Sequence, residues 1–243
     1  MSADAGRVAL VLGARNLGGA IAERLLAEGW RVAAVARSED TLVRVRDLGA
    51  LALSADAADP DDLRRAIERV QDELGPLRLA VNAVSAARPS GEGPFGGGPL
   101  AEATLDSFRG WASAVAEQSF TFLSEGARAL RRGAGGTLIQ ITGGSSRRAI
   151  PGRGPWAAGA FATRALVQAA AQELRGEGIH VALLVVDATI ESPKTAPFTA
   201  DAPRDALADM ADVAAAVRYL AEQGPRGMTH ELVITPAGDR WVP

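Results

Sequence analysis

The stretch RVALVLGARNLGGAIAERLLAE (residues 7–28) decides the fold, because a glycine-rich turn joins an apolar strand pattern to a helical pattern. The glycines at positions 13, 18 and 19 allow backbone N–H groups to approach a pyrophosphate closely. The N-terminus of the following helix adds a partial positive charge. The turn therefore predicts a phosphate-binding site, and a tight strand-to-helix connection without a ligand is the alternative.

Apolar strands and helical patterns alternate along the rest of the chain. This alternation is typical of βαβ units. It predicts an α/β fold with a doubly wound parallel sheet of about seven strands and helices on both faces, in a single domain over residues 1–243. The predicted strands are 7–12, 31–36, 51–54, 77–84, 137–142, 180–187 and 231–235. The predicted helices are 20–28, 39–48, 61–74, 100–132 (with an interruption left open), 156–176 and 209–223. A glycine- and proline-rich surface loop (88–99) and an irregular lobe at the substrate side (188–208) interrupt the pattern.

The composition narrows the classes of function. A formal charge of −3 gives no basic surface for nucleic acid or for an anionic membrane. No apolar run reaches the length of a membrane span, and the first residues do not read as an export signal. The chain has no cysteine and only two histidines, so we expect a cytoplasmic protein without disulfides and without a metal site.

The segment GARNLGGAIAERLLAEGWRVAAVAR (residues 13–37) resembles the opening of short-chain dehydrogenases/reductases, whose usual turn is TGxxxGxG. Leu12 stands where threonine is usual. Leu17 occupies the middle glycine position unless the loop is one residue shorter, and we favour the shorter loop because it aligns RNLG (residues 15–18) with an Arg-Asn-Ile-Gly variant of the family. The resemblance implies that the turn contacts a dinucleotide through Gly13, Arg15, Asn16, Leu17 and Gly19.

The residue after the second strand indicates which dinucleotide is preferred. NAD-binding members of this fold usually place an acid there to hold the ribose 2′-OH, whereas this chain has Arg37. A guanidinium pairs well with a 2′-phosphate, so we expect NADP(H) to be preferred over NAD(H), with Arg15 as a second cation by analogy. By resemblance, Asp56 would meet the adenine, Asn82 matches an asparagine at the end of the fourth strand, and Ile190 would touch the nicotinamide carboxamide.

The catalytic pattern of the family is missing. The segment PGRGPWAAGAFATRALVQAAAQEL resembles the helix that begins Tyr-x-x-x-Lys, but Trp156 and Ala160 stand at the two positions. The chain's only tyrosine, Tyr219, and its only lysine, Lys194, are twenty-five positions apart and in the reverse order. In the family the phenol transfers a proton as hydride moves, and such general acid–base assistance is typically worth ~10²–10⁴-fold.

Two further catalytic positions also differ, since Gly143 falls where the family's serine stands and Glu117 where its asparagine stands. Candidates for replacement chemistry are Glu117 (if it is buried), Ser145, Trp156 and Asp187. Each also has an ordinary structural explanation: a solvated helix face, an exposed loop, the core or a capped turn.

The resemblance implies an NADP(H)-binding protein of oxidoreductase ancestry that acts on a small molecule, with redox activity that is non-standard or weak. A non-catalytic binding or regulatory subunit and a cofactor-free cyclase or lyase are the alternatives. By resemblance, we also expect a homodimer or homotetramer assembled through the helices predicted at 100–132 and 156–176.

Overall fold

The computed structural model describes residues 6–84 and 94–238. Seven of its strands form one sheet in the order β3-β2-β1-β4-β5-β6-β9, and every neighbouring pair is parallel. The strands are β1 (Val8–Leu12), β2 (Arg31–Ala36), β3 (Leu51–Ser54), β4 (Leu77–Asn82), β5 (Gly136–Gly143), β6 (Ile179–Val186), β7 (Thr189–Ile190), β8 (Leu207–Ala208) and β9 (Glu231–Ile234). The predicted doubly wound α/β sheet of seven strands is confirmed.

Helices cover both faces of this sheet, as the continuous apolar strands require. They are α1 (Leu17–Ala27), α2 (Glu39–Asp47), α3 (Pro60–Leu74), α4 (Leu105–Phe108), α5 (Ala114–Arg132), α6 (Gly154–Leu174), α7 (Ala196–Thr199) and α8 (Met210–Ala221). One core cluster contains Phe122 and Leu130 of α5, and the other contains Ile21 of α1 and Val217 of α8. Every residue of β1 and β6 is buried between them.

The strands predicted at 31–36 and 51–54 are found with those bounds, and the helices predicted at 61–74 and 209–223 begin within one residue of α3 and α8. Asp59 caps α3, because its Oδ1 accepts a hydrogen bond from the Asp62 N–H at 2.8 Å and Pro60 occupies the first turn. Asp209 caps α8 in the same way through the Ala211 N–H at 2.7 Å. An aspartate side chain therefore caps the start of both helices.

Other boundaries differ from the prediction. The helix predicted at 100–132 is divided into α4, a π-helical turn (Arg109–Ser113) and α5. The predicted lobe at 188–208 contains the parallel pair β7–β8 as well as α7. Residues 88–93 of the predicted loop lie outside the described residues, while 94–99 are described and run beside the start of α6.

Two histidines face each other near the amino end of β6. The rings of His180 and His230 are 5.8 Å apart between centroids, and His180 Nε2 lies 2.9 Å from the Thr229 carbonyl oxygen. Burial lowers the pKa of His180, because the interior disfavours the charged imidazolium. Among the described residues, no group of three or more metal-ligating side chains is found.

None of the helices within the described ranges is long and apolar enough to cross a bilayer. The cytoplasmic location stays a prediction.

Candidate functional site at the carboxyl edge of the sheet

The turn after β1 is held by close backbone contacts that only glycine permits. Gly13 has a φ of +85°, and a Cβ added there would lie 2.8 Å from the Ala83 carbonyl oxygen. A Cβ added to Gly18 would lie 2.5 Å from the Gly13 carbonyl oxygen, so α1 packs directly on the turn. α1 begins at Leu17 with Asn16 as its N-cap, and the shorter-loop alignment stays a prediction.

The first amides of α1 lack a side-chain cap. The Asn16 side chain makes no hydrogen bond to them, whereas the N–H groups of Gly13 and Ala14 both donate to the Val35 carbonyl oxygen at 3.1 and 3.2 Å. Those two bonds fix the turn against β2 and orient the helix terminus. An uncapped N-terminus presents N–H groups and a partial positive charge to an anion.

Two basic side chains flank this terminus. Arg15 is exposed in the turn, and the Arg37 side chain, at the end of β2, is 68% exposed. Arg37 Nη1 lies 3.5 Å from Asp56 Oδ2, so the structure brings together the residues predicted at the 2′-phosphate and at the adenine. An ion pair this exposed contributes ~1 kcal/mol or less, and a phosphate can therefore compete for the guanidinium.

Asn82 lies beneath this surface as part of a buried amide cluster. Its Nδ2 donates to Gln118 Oε1 at 3.0 Å and to Gln140 Oε1 at 2.8 Å, and Gln118 Nε2 donates back to Asn82 Oδ1 at 3.0 Å. All three side chains are buried. Asn82 is therefore buried below the cleft, the surface over the carboxyl ends of β1, β4, β5 and β6, and does not reach that surface.

Sequence reasoning missed Gln118 and Gln140. The only signal for Gln140 is an amide in the otherwise apolar core of β5, and it is paired across the sheet with Asn82. A buried amide needs a partner for each donor and acceptor, so such a residue predicts a polar neighbour on an adjacent strand.

Polar side chains at the ends of β5 and β6 are engaged in hydrogen bonds within the chain. Ser146 is buried and its Oγ donates to the Gly143 carbonyl oxygen at 2.9 Å, while Ser145 is half-buried. Asp187 is 6% exposed, and its carboxylate accepts a hydrogen bond from Arg148 Nη1. The predicted candidate Asp187 is thus engaged in an ion pair between the β5–α6 connection and the end of β6.

Trp156 lies in an aromatic cluster at the start of α6. Its ring is 5.4 Å from Trp111 and 5.6 Å from Phe95, measured between centroids, and Trp111 is 5.1 Å from Phe95. Trp111 comes from the π-helical turn and is buried, while Trp156 is half-buried. Ala160, one turn further along α6, is 3% exposed and brings no polar atom to the cleft.

Two further predicted residues lie on α5 and on β7. Glu117 is exposed on the outer face of α5, where it lines a groove with alanines of α6, so the burial that an acid/base role requires is not met in the single chain. Ile190 is half-buried in β7 and pairs with Ala208 of β8.

Comparison with known proteins agrees with this fold. A family model described as "Enoyl-(Acyl carrier protein) reductase" matches residues 11–238. An "NADPH-dependent aldehyde reductase-like protein, chloroplastic" from Arabidopsis thaliana is 24% identical, over 96% of this chain and 94% of the relative. The crystal structure of a short-chain dehydrogenase from Rhodopseudomonas palustris is 26% identical with a TM-score of 0.73, over 96% and 99% of the two chains. A blue fluorescent protein from a metagenomic library, solved in complex with NADPH, is 25% identical with a TM-score of 0.75, over 95% and 97%.

Proposed function

This chain belongs to the short-chain dehydrogenase/reductase family, and from that premise we propose that it binds NADP(H) at the turn after β1. The observation that carries the proposal is the uncapped start of α1 between two exposed arginines, Arg15 and Arg37. Amides at a helix terminus suit a pyrophosphate, and guanidinium groups suit a 2′-phosphate. The NADPH in a solved structural relative gives independent support.

The bound cofactor would supply hydride transfer, and the chain's own residues would supply binding and shape. Gly13 and Gly18 let the backbone of the turn pack closely, so that the start of α1 would meet the phosphates, and Arg37 would exchange Asp56 for the 2′-phosphate. A buried cluster of amide side chains links β4, β5 and α5 beneath the cleft through hydrogen bonds among Asn82, Gln118 and Gln140.

We infer that carbonyl or alcohol redox activity is weak or proceeds through non-standard groups. By resemblance, Trp156 and Ala160 occupy the positions of the family's proton donor and its ammonium partner. An indole N–H donates a hydrogen bond but does not usefully ionise, and alanine carries no charge. Loss of general acid–base assistance lowers a rate by ~10²–10⁴-fold.

A non-catalytic binding or regulatory subunit is the second candidate. It is favoured by the packing of Trp156 against Trp111 and Phe95, which gives the residue a structural role. A binding subunit would show saturable NADPH binding and no turnover with any carbonyl substrate.

The test is a titration of the purified protein with NADPH and with NADH, followed by nicotinamide fluorescence. We expect saturable NADPH binding and at least about tenfold weaker NADH binding, which corresponds to one charge-assisted contact of ~1.4 kcal/mol. Turnover is then measured with a panel of aldehydes and ketones. Absence of binding by both nucleotides would contradict the proposal.

We also propose that the chain forms a homo-oligomer through the outer face of α5 and α6. Phe120 on α5 is 58% exposed and lines a shallow groove between the helices with alanines of α6, and Phe161 on α6 is 43% exposed. Small residues allow a second helix pair to approach closely, and exposed apolar patches commonly mark interaction sites. Light scattering should give the mass of a dimer or tetramer, and a single monomeric species would contradict the proposal.

A further inference from the structure

A dinucleotide that places its phosphates at the start of α1 has two directions in which to extend. Its adenosine side lies toward β2 and β3, where Arg37 and Asp56 meet. In a doubly wound sheet the ligand crosses the carboxyl ends of the strands at the point where the strand order reverses, here between β1 and β4. The other half must therefore extend across β4 toward the ends of β5 and β6.

An ion pair occupies the ends of those two strands. Asp187 follows β6, and its carboxylate lies against the Cα of Gly144, where an added Cβ would overlap Oδ1. Arg148 Nη1 bonds the same carboxylate, and the exposed fractions of the two side chains are 8% for Asp187 and 33% for Arg148. Paired charges with this little exposure are costly to separate, because each would lose its partner in a weakly solvated place.

An aromatic layer is built at the same end, beyond β5. The backbone N–H of Trp156 donates to the Gly96 carbonyl oxygen at 3.2 Å, which ties the segment before α4 to the start of α6. Gly97 lies so close to Pro155 that a Cβ would be 2.6 Å from its Cγ. The contacts among Phe95, Trp111 and Trp156 are thus fixed by backbone as well as by ring packing.

We propose that the affinity of this chain for its nucleotide comes from the adenosine 2′-phosphate half, and that the nicotinamide half adds little. This inference rests on the proposed function. The ligand class is then any adenosine nucleotide that carries a 2′-phosphate and a 5′-phosphate, with or without a nicotinamide. The Arg37–Asp56 pair at the adenosine end is exposed and separates at little cost, whereas the Arg148–Asp187 pair at the other end is much less exposed.

The first experiment is calorimetric titration of the full chain with NADP⁺, adenosine 2′,5′-bisphosphate and nicotinamide mononucleotide. We expect the bisphosphate to bind within about tenfold of NADP⁺, and the mononucleotide to show no saturable binding. NADP⁺ binding more than about tenfold tighter than the bisphosphate would overturn this inference while supporting the proposed function. Absence of binding by both NADP⁺ and the bisphosphate would overturn the proposed function and this inference with it.

The second experiment removes the ion pair without changing the net charge, in the double variant Arg148→Ala/Asp187→Ala. We expect its NADP⁺ affinity, relative to its bisphosphate affinity, to rise by about tenfold. The matched control is Arg131→Ala/Glu177→Ala, which removes a more exposed Arg–Glu pair between the end of α5 and the connection before β6, and should leave the ratio unchanged. An unchanged ratio in the Arg148/Asp187 variant would overturn the role given to the ion pair. If that variant does not fold, the ligand series on the unaltered chain still decides the inference.

Discussion

The two ends of the cleft are built in different ways. At the adenosine end, glycines bring the backbone close together and the arginine side chains extend into solvent. At the end formed by β5, β6 and α6, side chains fill the space and bond one another: Asp187 with Arg148, and Trp156 with Trp111. Both ends belong to one sheet with a regular strand order.

This difference separates what the backbone fixes from what the side chains fix. The strand order and the Gly13–Gly18 contact depend on backbone geometry, which tolerates few substitutions. The chemistry of the other end depends on a few side chains, and their replacement leaves the sheet intact. The comparison predicts that substitutions at the two ends change different measurable quantities.

The largest expected effect is on stability, at the aromatic end. The Trp111→Ala variant should lower the free energy of unfolding by ~3–5 kcal/mol, because a large buried ring is lost. Its preference for NADPH over NADH should not change. Urea denaturation and nucleotide titration measure the two quantities. The control is Phe198→Ala. Because Phe198 is 83% exposed, this substitution should lower the free energy of unfolding by ~0.5 kcal/mol or less.

A smaller effect is expected at the glycine end, where stability and binding should fall together. The Gly18→Ala variant places a Cβ 2.5 Å from the Gly13 carbonyl oxygen, so the turn must shift at a cost of ~1–3 kcal/mol. Nucleotide affinity should fall with it. Gly176→Ala is the matched control, because a Cβ there meets no atom within 4 Å. Unchanged NADPH affinity in the Gly18→Ala variant would contradict the proposal that the nucleotide binds at this turn.

The Arg37→Ala variant should change specificity alone. We expect NADPH affinity to fall by about tenfold and NADH affinity to change little, since only NADPH carries the 2′-phosphate. Stability should stay within ~0.5 kcal/mol, because the Arg37–Asp56 pair is exposed. Equal losses for both nucleotides would show that Arg37 acts on the turn rather than on the phosphate.

The smallest expected effect is a pH dependence of the free energy of unfolding. It originates at His180, outside both ends of the cleft. Burial lowers the pKa of His180, so below its unfolded value of ~6.5 the unfolded chain binds more protons than the folded chain. Stability is therefore fully present above that pH and is lost as the pH falls, by at most ~1.4 kcal/mol per unit.

Urea denaturation between pH 5 and 8 should show this slope in the unaltered chain and a flatter line in His180→Gln. The lowered pKa values of Asp62 and Glu177, each caused first by a hydrogen bond to the carboxylate, act at more acidic pH and do not produce a slope in this window. Parallel lines for the two proteins would contradict the assignment to His180.

The fold could be predicted from sequence because its signals are local. The apolar run at Val8–Leu12, the glycine turn and the Asp59-Pro60 helix start each act within a few residues. The site could be predicted only where it depends on the turn itself. The Asn82–Gln118–Gln140 cluster joins residues up to 58 positions apart, so a local sequence pattern does not predict it.

Glu117 illustrates the same limit. A helical pattern places it on α5 but does not show which neighbour covers that face, and the structure leaves it exposed. The Arg148–Asp187 pair, 39 positions apart, likewise depends on the adjacency of β5 and β6.

The π-helical turn at Arg109–Ser113 separates two helical phases. A π-helical turn accommodates one residue more than an α-helical turn, so it is equivalent to a one-residue insertion inside a helix. Residues before it are rotated by about 100° relative to an uninterrupted α5, since an α-helix has 3.6 residues per turn. Deletion of one residue within the turn is therefore expected to change the contacts of Trp111 with Phe95 and Trp156, while the sheet-packed part of α5 stays in place.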